Sequence, residues 1–397
     1  MKKYDFVIVG SGIIGLTIAF AIKSRQPKAV VVVIDKENSE AAHASGRNSG
    51  VLHAGFYYTA DSLKARFTVD GNYAMKAYAR SRGLAINECG KLVVAQNEQE
   101  LEQLHELLRR GQKNGANVAL VDESKARALE PNVKTYKKAL YSPDTASIDP
   151  KEDCHRLKED LVIQGVEFFY STKYLGHQGS VIKTSGGDIE TGKLINCAGL
   201  YADKIARDFG FGKKYTMIPF KGLYLKYTKN KTDVTMNIYP VPNLKNPFLG
   251  VHYTKTVDGG IKIGPTATPA FWRENYNGVA GFDIGELSEV LFYESRLFWK
   301  NAFGFRQLAA EEMRKYNKDY FVSLAAAMVQ NIDRQGFTQW TTPGIRAQLL
   351  DKETLSLVQD FIVEGDGQSV HVLNAVSPAF TCSFVFSKYV VDQHVFI

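Results

Sequence analysis

Cysteine is scarce in this sequence of 397 residues, and its spacing is as informative as its number. The four cysteines stand at positions 89, 154, 197 and 382, and no two of them form a C-x-x-C pair. Zinc sites and iron–sulfur clusters built on thiolates normally use closely spaced cysteines. We therefore expect no metal site, and the low cysteine count fits a reducing compartment.

Long apolar runs and concentrated charge are also missing. No apolar stretch approaches the roughly 20 residues needed to cross a bilayer, and no small-residue cleavage site follows the apolar run near the start. The net charge is +7, but no basic cluster interleaves with aromatic residues. This balance argues against nucleic-acid binding and suits a small anionic substrate. We expect a cytoplasmic protein, with peripheral contact with the inner face of a membrane left open.

The chain has no internal repeat and no low-complexity tract, and its length favours two domains. Strand and helix patterns alternate through most of residues 4–214, whereas residues 215–265 read as antiparallel strands separated by Pro and Gly. Helical periodicity follows in 286–334, and residues 139–149 look like a turn-rich crossing segment. The predicted fold class is therefore α/β and α+β, with a Rossmann-type domain and a second, antiparallel-sheet domain.

The most informative stretch is YDFVIVGSGIIG, residues 4–15. A β-branched run leads into Gly10, Gly12 and Gly15, an apolar helix follows, and a second β-branched run ends at Asp35. This βαβ unit, with an acid about 20 positions after the last glycine, is typical of dinucleotide binding. Gly12 lets the backbone approach a pyrophosphate, Gly15 lets the helix pack closely on the strand, and Asp35 can accept hydrogen bonds from a ribose.

Two further segments carry small residues suited to backbone contact with a cofactor. One is a polar loop that contains Ser45, Asn48, Ser49 and Gly50, and the other is the strand end at Ala198-Gly199. Ligands bind at the carboxyl edge of such sheets. Because no second complete glycine fingerprint is present, we predict a single dinucleotide and no separate NAD(P) site.

Longer stretches add a more specific signal: GRNSGVLHAGFYY (46–58), SLKARF (62–67), PFKGLYL (219–225), YPVPNLKNPFLGVHYT (239–254), GPTATPAFWRENY (264–276), GIRAQLL (344–350) and NAVSPAFTCS (374–383). With these stretches the chain resembles the flavin-dependent D-amino-acid oxidase/glycerol-3-phosphate dehydrogenase superfamily. Within that superfamily it is similar to the L-2-hydroxyglutarate dehydrogenase/oxidase family, nearly end to end.

The resemblance implies an FAD enzyme that oxidises L-2-hydroxyglutarate to 2-oxoglutarate and passes electrons to a quinone pool or to dioxygen. Three positions depart from the family pattern, because Arg47, Lys221 and Phe380 stand where His, Arg and Ala are common. Two other functions stay open: an amino-acid or glycerol-3-phosphate oxidoreductase on the same fold, and a flavin-binding electron carrier without turnover. The oligomeric state is not predicted.

The resemblance also implies a discontinuous FAD-binding domain of residues 1–88, 146–214 and 337–397, and a substrate-binding domain of residues 89–145 and 215–336. Contacts with FAD are expected from residues in five segments: Gly10, Gly12, Ile13, Ile14, Gly15, Asp35, Lys36, Ser45, Asn48, Ser49, Gly50, Ala198, Gly199, Ser377, Pro378, Ala379, Phe380 and Thr381.

Oxidation of a hydroxy acid requires a base for the hydroxyl proton and a clamp for the carboxylate. His53 is the preferred base because the unperturbed pKa of histidine lies near neutrality. A histidine that only hydrogen-bonds the flavin or a backbone carbonyl is the structural alternative, and His252 is the alternative base. Arg346 is expected to clamp the α-carboxylate, since arginine pairs bidentately with carboxylates; a salt bridge is its structural alternative.

The distal carboxylate of the substrate is expected to be held in the antiparallel domain. Lys221, Tyr239 and Arg273 are the candidates, and each taken alone has an equally good structural interpretation. Further substrate contacts are expected from Tyr57, Tyr58 and Asn374.

Residues 291–305, LFYESRLFWKNAFGF, combine five Phe or Trp residues with Arg296 and Lys300. Such a composition is compatible with contact with a membrane or a quinone. The favoured interpretation is a helical pair that covers the antiparallel sheet, and the exposure of the aromatic side chains decides between the two.

Overall fold

The computed structural model describes residues 2–242 and 249–396, so the NLKNPF part of one family-like stretch lies outside the described residues. Over the described residues the strands are β1 (Lys3–Val9), β2 (Val31–Ile34), β3 (Val51–Leu52), β4 (Ile86–Asn87), β5 (Lys91–Val94), β6 (Ala119–Asp122), β7 (Lys138–Ser142), β8 (Ala146–Ile148), β9 (Glu167–Phe169), β10 (Tyr174–Gln178), β11 (Val181–Thr184), β12 (Ile189–Asn196), β13 (Tyr215–Gly222), β14 (Leu225–Tyr227), β15 (Asn237–Pro240), β16 (His252–Lys255), β17 (Ile261–Gly264), β18 (Thr268–Pro269), β19 (Phe337–Trp340), β20 (Gly344–Asp351), β21 (Ile362–Gly365) and β22 (Ser369–Asn374).

The α-helices of the described residues are α1 (Ile13–Arg25), α2 (Leu63–Ser81), α3 (Glu98–Lys113), α4 (Glu123–Leu129), α5 (Pro150–Ile163), α6 (Ala202–Asp208), α7 (Ile284–Lys300), α8 (Phe305–Arg314), α9 (Lys318–Ala326) and α10 (Ala379–Val390). Asp149 caps α5 by accepting from the backbone N–H of Lys151, and Pro150 occupies the first turn as predicted. None of these helices is long and apolar enough to span a membrane.

The predicted βαβ unit forms the centre of a sheet with the order β10-β11-β12-β1-β2-β9, and β22 pairs with β12. β1, β2, β9, β12 and β22 run parallel. The β-branched run of β2 is buried along its whole length, because one face packs against α1, α5 and α10 and the other against residues of β10, β11 and α6. The parallel sheet brings the carboxyl ends of β1, β2 and β12 to one edge, where Gly10, Asp35 and Ala198 follow.

A second large sheet has the order β19-β14-β17-β16-β15-β5-β7-β6. Its pairs are antiparallel except β15 with β5, which confirms the predicted antiparallel sheet. Residues 139–149 cross from the second large sheet to the strand β3 as predicted, but the prediction that they are rich in turns was wrong, because most of them belong to β7 and β8. Both strands are short, and burial does not alternate along them, so the sequence lacks the period-2 pattern of a half-buried strand.

β13 and β20 pair along eight residues each and form a small third sheet with β18. This sheet carries Arg346, which lies opposite Phe220 in the register. The mixed α/β architecture with a Rossmann-type sheet and antiparallel sheets is as predicted, and we keep the division into the two domains given above as a proposal.

Candidate active site

The glycine-rich turn after β1 leaves room for a phosphate group because side chains are sterically excluded there. Gly10 has φ +108°, and a Cβ atom on it would lie 2.5 Å from the carbonyl oxygen of Cys197. A Cβ atom on Gly15 would lie 1.9 Å from the carbonyl oxygen of Gly10, so α1 packs directly on the turn. The N-terminus of α1 therefore meets an open cradle, and this arrangement fits the pyrophosphate of a dinucleotide.

Asp35 follows β2 at the edge where a ribose is expected. Its Oδ2 atom accepts from both the backbone N–H and the hydroxyl of Ser11 at 2.7 Å, and its Oδ1 atom accepts from the backbone N–H of Glu37 at 2.9 Å. These bonds hold the carboxylate at the cavity wall, where it can accept from a ribose hydroxyl.

A single cavity of about 1290 Å³ runs from Asp35 past the glycine turn to Arg346. This volume exceeds the ~300–1,000 Å³ of ordinary small-molecule sites, as a dinucleotide and a substrate together require. Sixteen of the expected FAD contacts line the cavity: Gly10, Gly12, Ile13, Ile14, Asp35, Lys36, Ser45, Asn48, Ser49, Ala198, Gly199, Ser377, Pro378, Ala379, Phe380 and Thr381.

Two expected FAD contacts, Gly15 and Gly50, do not line this cavity. Gly15 is needed for helix packing, as described above. Gly50 has φ +76°, and a Cβ atom on it would lie 2.4 Å from the carbonyl oxygen of Ile148, so this glycine permits the close approach of β8. Both glycines shape the cofactor site without forming its surface.

His53 follows β3 and lies in the cavity wall with only 8% of its surface exposed. Its backbone N–H donates to Thr381 Oγ1 at 3.1 Å, and its Nδ1 atom has no hydrogen-bond partner among the described residues. Burial lowers the pKa of His53 well below its usual value, and the positive charge of Lys91 adds to this effect. The imidazole is therefore neutral near pH 7 and able to accept a proton.

His252 lies in the same wall and is also neutral. Its Nδ1 atom donates to the carbonyl oxygen of Gly250 at 2.8 Å, which leaves Nε2 as the acceptor nitrogen. The ring stacks on Tyr239 with the centroids 3.7 Å apart. Burial lowers the pKa of His252 to about 3, so His53 and His252 both have the protonation state of a base.

Arg346 extends from β20 into the cavity wall. One of its Nη atoms donates to the carbonyl oxygen of Thr266 at 3.1 Å, and a Cβ atom on Gly222 would lie 3.3 Å from the other. The guanidinium thus lies flat over Gly222, in a position that a side chain at residue 222 would disturb. Burial lowers its pKa from the ordinary value, but an arginine remains charged at neutral pH.

The expected tyrosines Tyr57, Tyr58 and Tyr239 all line the cavity. The hydroxyls of Tyr57 and Tyr239 have no hydrogen-bond partner among the described residues. Burial raises the pKa of both phenols. Both hydroxyls therefore stay protonated and can donate to a substrate oxygen.

Three predicted substrate contacts are not brought to the cavity wall. Arg273 is only 1% exposed, and its guanidinium pairs with Asp203, with Nη2 at 2.9 Å from Oδ2. Breaking a buried ion pair costs about 3–5 kcal/mol, so this arginine is committed to the fold. Lys221 contacts Asn275 Oδ1 at 3.3 Å.

Asn374 is the third of these residues. Its side-chain amide donates to the backbone carbonyl oxygens of Asp360 at 2.6 Å and Val358 at 3.2 Å. These bonds tie the segment before β21 to the end of β22. Arg273, Lys221 and Asn374 thus each contact another residue of the protein. Their expected contacts with the substrate have no support from the cavity lining.

Several cavity residues were missed by sequence reasoning. Four of them come after β9 in the chain and line the cavity near Asp35: Thr172, Lys173, Tyr174 and Leu175. Their position after a predicted parallel strand was the available signal. Lys91 lies behind the wall of the cavity. The sequence did not predict this position, because a lysine at the start of an apolar strand has no pattern that distinguishes it.

A cluster of possible metal ligands lies beside the cavity. Glu37, His43 and Glu274 offer ligand atoms that lie within 4.8 Å of one another. The ammonium of Lys36 lies 2.7 Å from Glu274 Oε1 and also pairs with Glu37. Because this lysine already supplies positive charge to both carboxylates, we do not assign a cation to the cluster.

The parallel sheet, the glycine cradle and the buried neutral histidines define a dinucleotide-dependent oxidoreductase. Residues 5–393 match the family described as FAD dependent oxidoreductase, and the chain belongs to this family. The cradle, the acid after β2 and the size of the cavity all fit FAD, which Gly10, Gly12 and Asp35 would hold at its pyrophosphate and ribose.

Several relatives that cover nearly the whole chain share the name L-2-hydroxyglutarate dehydrogenase. L-2-hydroxyglutarate dehydrogenase of Escherichia coli K12 is 31% identical over 404 residues, which cover 98% of this chain and 93% of that protein. The protein of the same name from Indibacter alkaliphilus is 34% identical and covers 96% of each chain. The mitochondrial one from Nematostella vectensis is 33% identical over 99% of this chain and 90% of its own. The family resemblance seen in the sequence is thereby confirmed.

Solved structures with the same fold include L-α-glycerophosphate oxidase from Mycoplasma pneumoniae with FAD bound. It has a TM-score of 0.77 at 22% identity and covers 98% of this chain and 94% of that one. Glycine oxidase from Geobacillus kaustophilus has a TM-score of 0.72 at 16% identity, with coverage of 100% and 95%. At these identities the likeness establishes the fold alone.

Proposed function

We propose that this protein oxidises L-2-hydroxyglutarate to 2-oxoglutarate. The observation that carries the proposal is the set of side chains that line one end of the cavity. This set contains two neutral histidines, the planar guanidinium of Arg346 and two tyrosines whose hydroxyls have no partner among the described residues. Similarity along nearly the whole chain to L-2-hydroxyglutarate dehydrogenases supports this substrate. FAD, when bound, supplies the two-electron acceptor for the hydride from the substrate α-carbon.

The roles we propose follow from charge and hydrogen bonding. Arg346 holds the α-carboxylate with its planar fork. An imidazole nitrogen of His53 takes the proton of the hydroxyl group, with His252 Nε2 as the alternative acceptor. Tyr57 and Tyr239 donate to the distal carboxylate, in place of the contacts expected from Lys221 and Arg273.

Anaerobic mixing of the yellow holoenzyme with single substrates tests the proposal. We expect L-2-hydroxyglutarate to bleach the flavin absorbance, and its D enantiomer to leave it unchanged because the α-hydrogen would point away from the acceptor. Bleaching by glycerol 3-phosphate or by an amino acid instead would assign the protein to the alternative oxidoreductases. Absence of bleaching with every substrate would leave a flavin-binding electron carrier.

We further propose that electrons leave at an anionic membrane surface, through contact of the aromatic segment of α7 and the turn after it. Trp299 is 76% exposed and Phe298 48% exposed, and Phe292 is exposed as well. Arg296 at the same helix supplies positive charge near Phe292, and Lys300 ends the helix. Of the five Phe and Trp residues in this segment, Phe305 alone is buried, so a helical pair that covers the antiparallel sheet accounts for only part of the segment.

Replacement of Trp299 by Ser tests whether this aromatic segment contacts a membrane. We expect binding of the holoenzyme to vesicles of anionic phospholipid to weaken about tenfold, since a buried aromatic side chain contributes roughly 1.5–3 kcal/mol. Co-sedimentation is the measurement, and Ile163→Ser is the matched control because Ile163 is equally exposed at the end of α5. Equal binding by both variants and the wild type would leave dioxygen or a soluble acceptor as the electron sink.

A further inference from the structure

Lys91 is a fully buried lysine whose charge has no carboxylate partner among the described residues. Its exposed fraction is 0%, and its Nζ atom makes no hydrogen bond within the described part of the chain. Burying an unpaired ammonium is costly, so such a group is rare unless its surroundings offer another form of stabilisation.

Aromatic rings provide that stabilisation. The Nζ atom of Lys91 lies 4.0 Å from the ring centroid of Tyr239, 5.3 Å from that of Tyr57 and 5.6 Å from that of Phe56. The faces of aromatic rings attract cations, most strongly where water is excluded. This cage depends on the parallel pairing of β5 with β15, which puts Lys91 opposite Asn237 and two positions from Tyr239.

The cage lies directly behind the reacting end of the cavity. Tyr57 and Tyr239 line the cavity, whereas Lys91 does not. The ammonium therefore contacts two rings whose residues line the cavity, although Lys91 itself does not line it. Tyr239 in turn stacks on His252.

We propose that Lys91 is a positioning residue for the oxidation, whose caged charge holds Tyr57 and Tyr239 in place and keeps His53 unprotonated. The proposal rests on the proposed role of His53 as the base. A lysine that only filled space in the core would support the rings without acting on the protonation of His53, and this difference is measurable.

The charges around these groups support the direction of the effect. After burial, the charge of Lys91 is the largest cause of the lowered pKa of His53, followed by that of His252. Burial lowers the pKa of Lys91 itself to about 7, with Cys89 acting in the opposite direction. Lys91 thus carries its charge in the acid range, where His53 would otherwise take up a proton. The further groups that act on His252 are Arg346 and Lys262.

The test compares Lys91→Met with Lys91→Arg in the holoenzyme. Histidine labelled with ¹³C at Cε1 reports each imidazole by NMR, and the His53→Gln spectrum assigns the signal of His53 among the eight histidines. We expect Lys91→Met to raise the pH at which His53 titrates by about one unit, because a repelling charge has been removed. Lys91→Arg keeps the charge and should titrate close to the wild type.

Lys255→Met is the matched control, because Lys255 is a buried lysine in the same sheet whose Nζ atom donates to the carbonyl oxygen of Val234 at 2.9 Å. It should leave the titration of His53 unchanged. An unchanged titration of His53 in Lys91→Met would overturn the proposal. If Lys91→Met does not fold, Lys91→Gln, which also removes the charge, takes its place in the same titration, and an unchanged titration of His53 in that variant would likewise overturn the proposal.

The rate of flavin reduction is expected to fall at low pH, and the pH of this fall, the acid limb of the rate profile, distinguishes this proposal from the proposed function. If Lys91→Met shifts both the NMR titration and the acid limb, Lys91 and His53 act as proposed. If the NMR titration shifts and the kinetic limb does not, the effect of Lys91 on His53 stands, and the base of the reaction is another group.

Discussion

Replacement of His53 by Ala is expected to slow flavin reduction by L-2-hydroxyglutarate by roughly 10²–10⁴-fold, the contribution of a well-placed general base. The imidazole lies in the cavity wall, is neutral near pH 7 and is fixed through its backbone N–H to Thr381. Substrate affinity should change little, because Arg346 and the two tyrosines would still hold the carboxylates. Stopped-flow measurement of flavin reduction under anaerobic conditions gives the rate and the affinity separately.

The pH dependence provides the decisive readout for His53. Because its folded-state pKa lies well below 6.5, the wild-type rate should be flat near neutrality and fall only on the acid side, where the base becomes protonated. The sequence alone predicted a base that titrates near neutrality, and burial moves this limb to lower pH. The Ala variant should lose the limb when rates are compared from about pH 5 to about pH 8.

A control for acid unfolding belongs to this experiment. His53, His252 and His371 all have lowered pKa values in the folded protein, so the unfolded chain binds more protons below about pH 6.5 and stability falls as the pH falls. Retention of bound flavin at each pH shows that the fold is intact. A variant that keeps both the fast rate and the acid limb would transfer the role of base to His252, and His252→Asn would then be the next variant.

Replacement of Arg346 by Lys is expected to lower kcat/KM about ten- to a hundredfold, because a charged hydrogen bond contributes roughly 1.5–3 kcal/mol. Lysine keeps the positive charge but lacks the planar fork, and it cannot lie flat over Gly222 while also donating to Thr266. The flavin content should remain that of the wild type. Steady-state kinetics per bound flavin is the measurement.

Arg273→Lys is the matched control for Arg346. Arg346 is partly buried in the cavity wall, whereas Arg273 is buried and pairs with Asp203 away from that wall. We expect this variant to lose thermal stability and to keep kcat/KM per bound flavin. Normal turnover of Arg346→Lys would assign Arg346 to a structural pair, and a kinetic defect in Arg273→Lys would return Arg273 to the substrate site.

Local sequence was a good guide to the cofactor half of the site. The elements of the βαβ unit and the cap of α5 were predictable because their determinants lie within a few residues of one another. The substrate half depends on contacts between residues that are distant in the chain. Arg273 and Lys221 carry the right charge for a dicarboxylate, but which partner each side chain reaches depends on residues far away in the chain, such as Asp203 for Arg273.

The sequence by itself determined the Rossmann-type unit, the dinucleotide cradle and the family, because glycine spacing and β-branched runs act through local sterics and burial. Only the tertiary structure decided which charges face the substrate. Lys91 lies behind the cavity wall because β5 pairs with β15, and Arg273 lies away from that wall, where it pairs with Asp203. The physical reason is that the cost of a buried charge is set by its neighbours in space, and sequence spacing does not encode those neighbours.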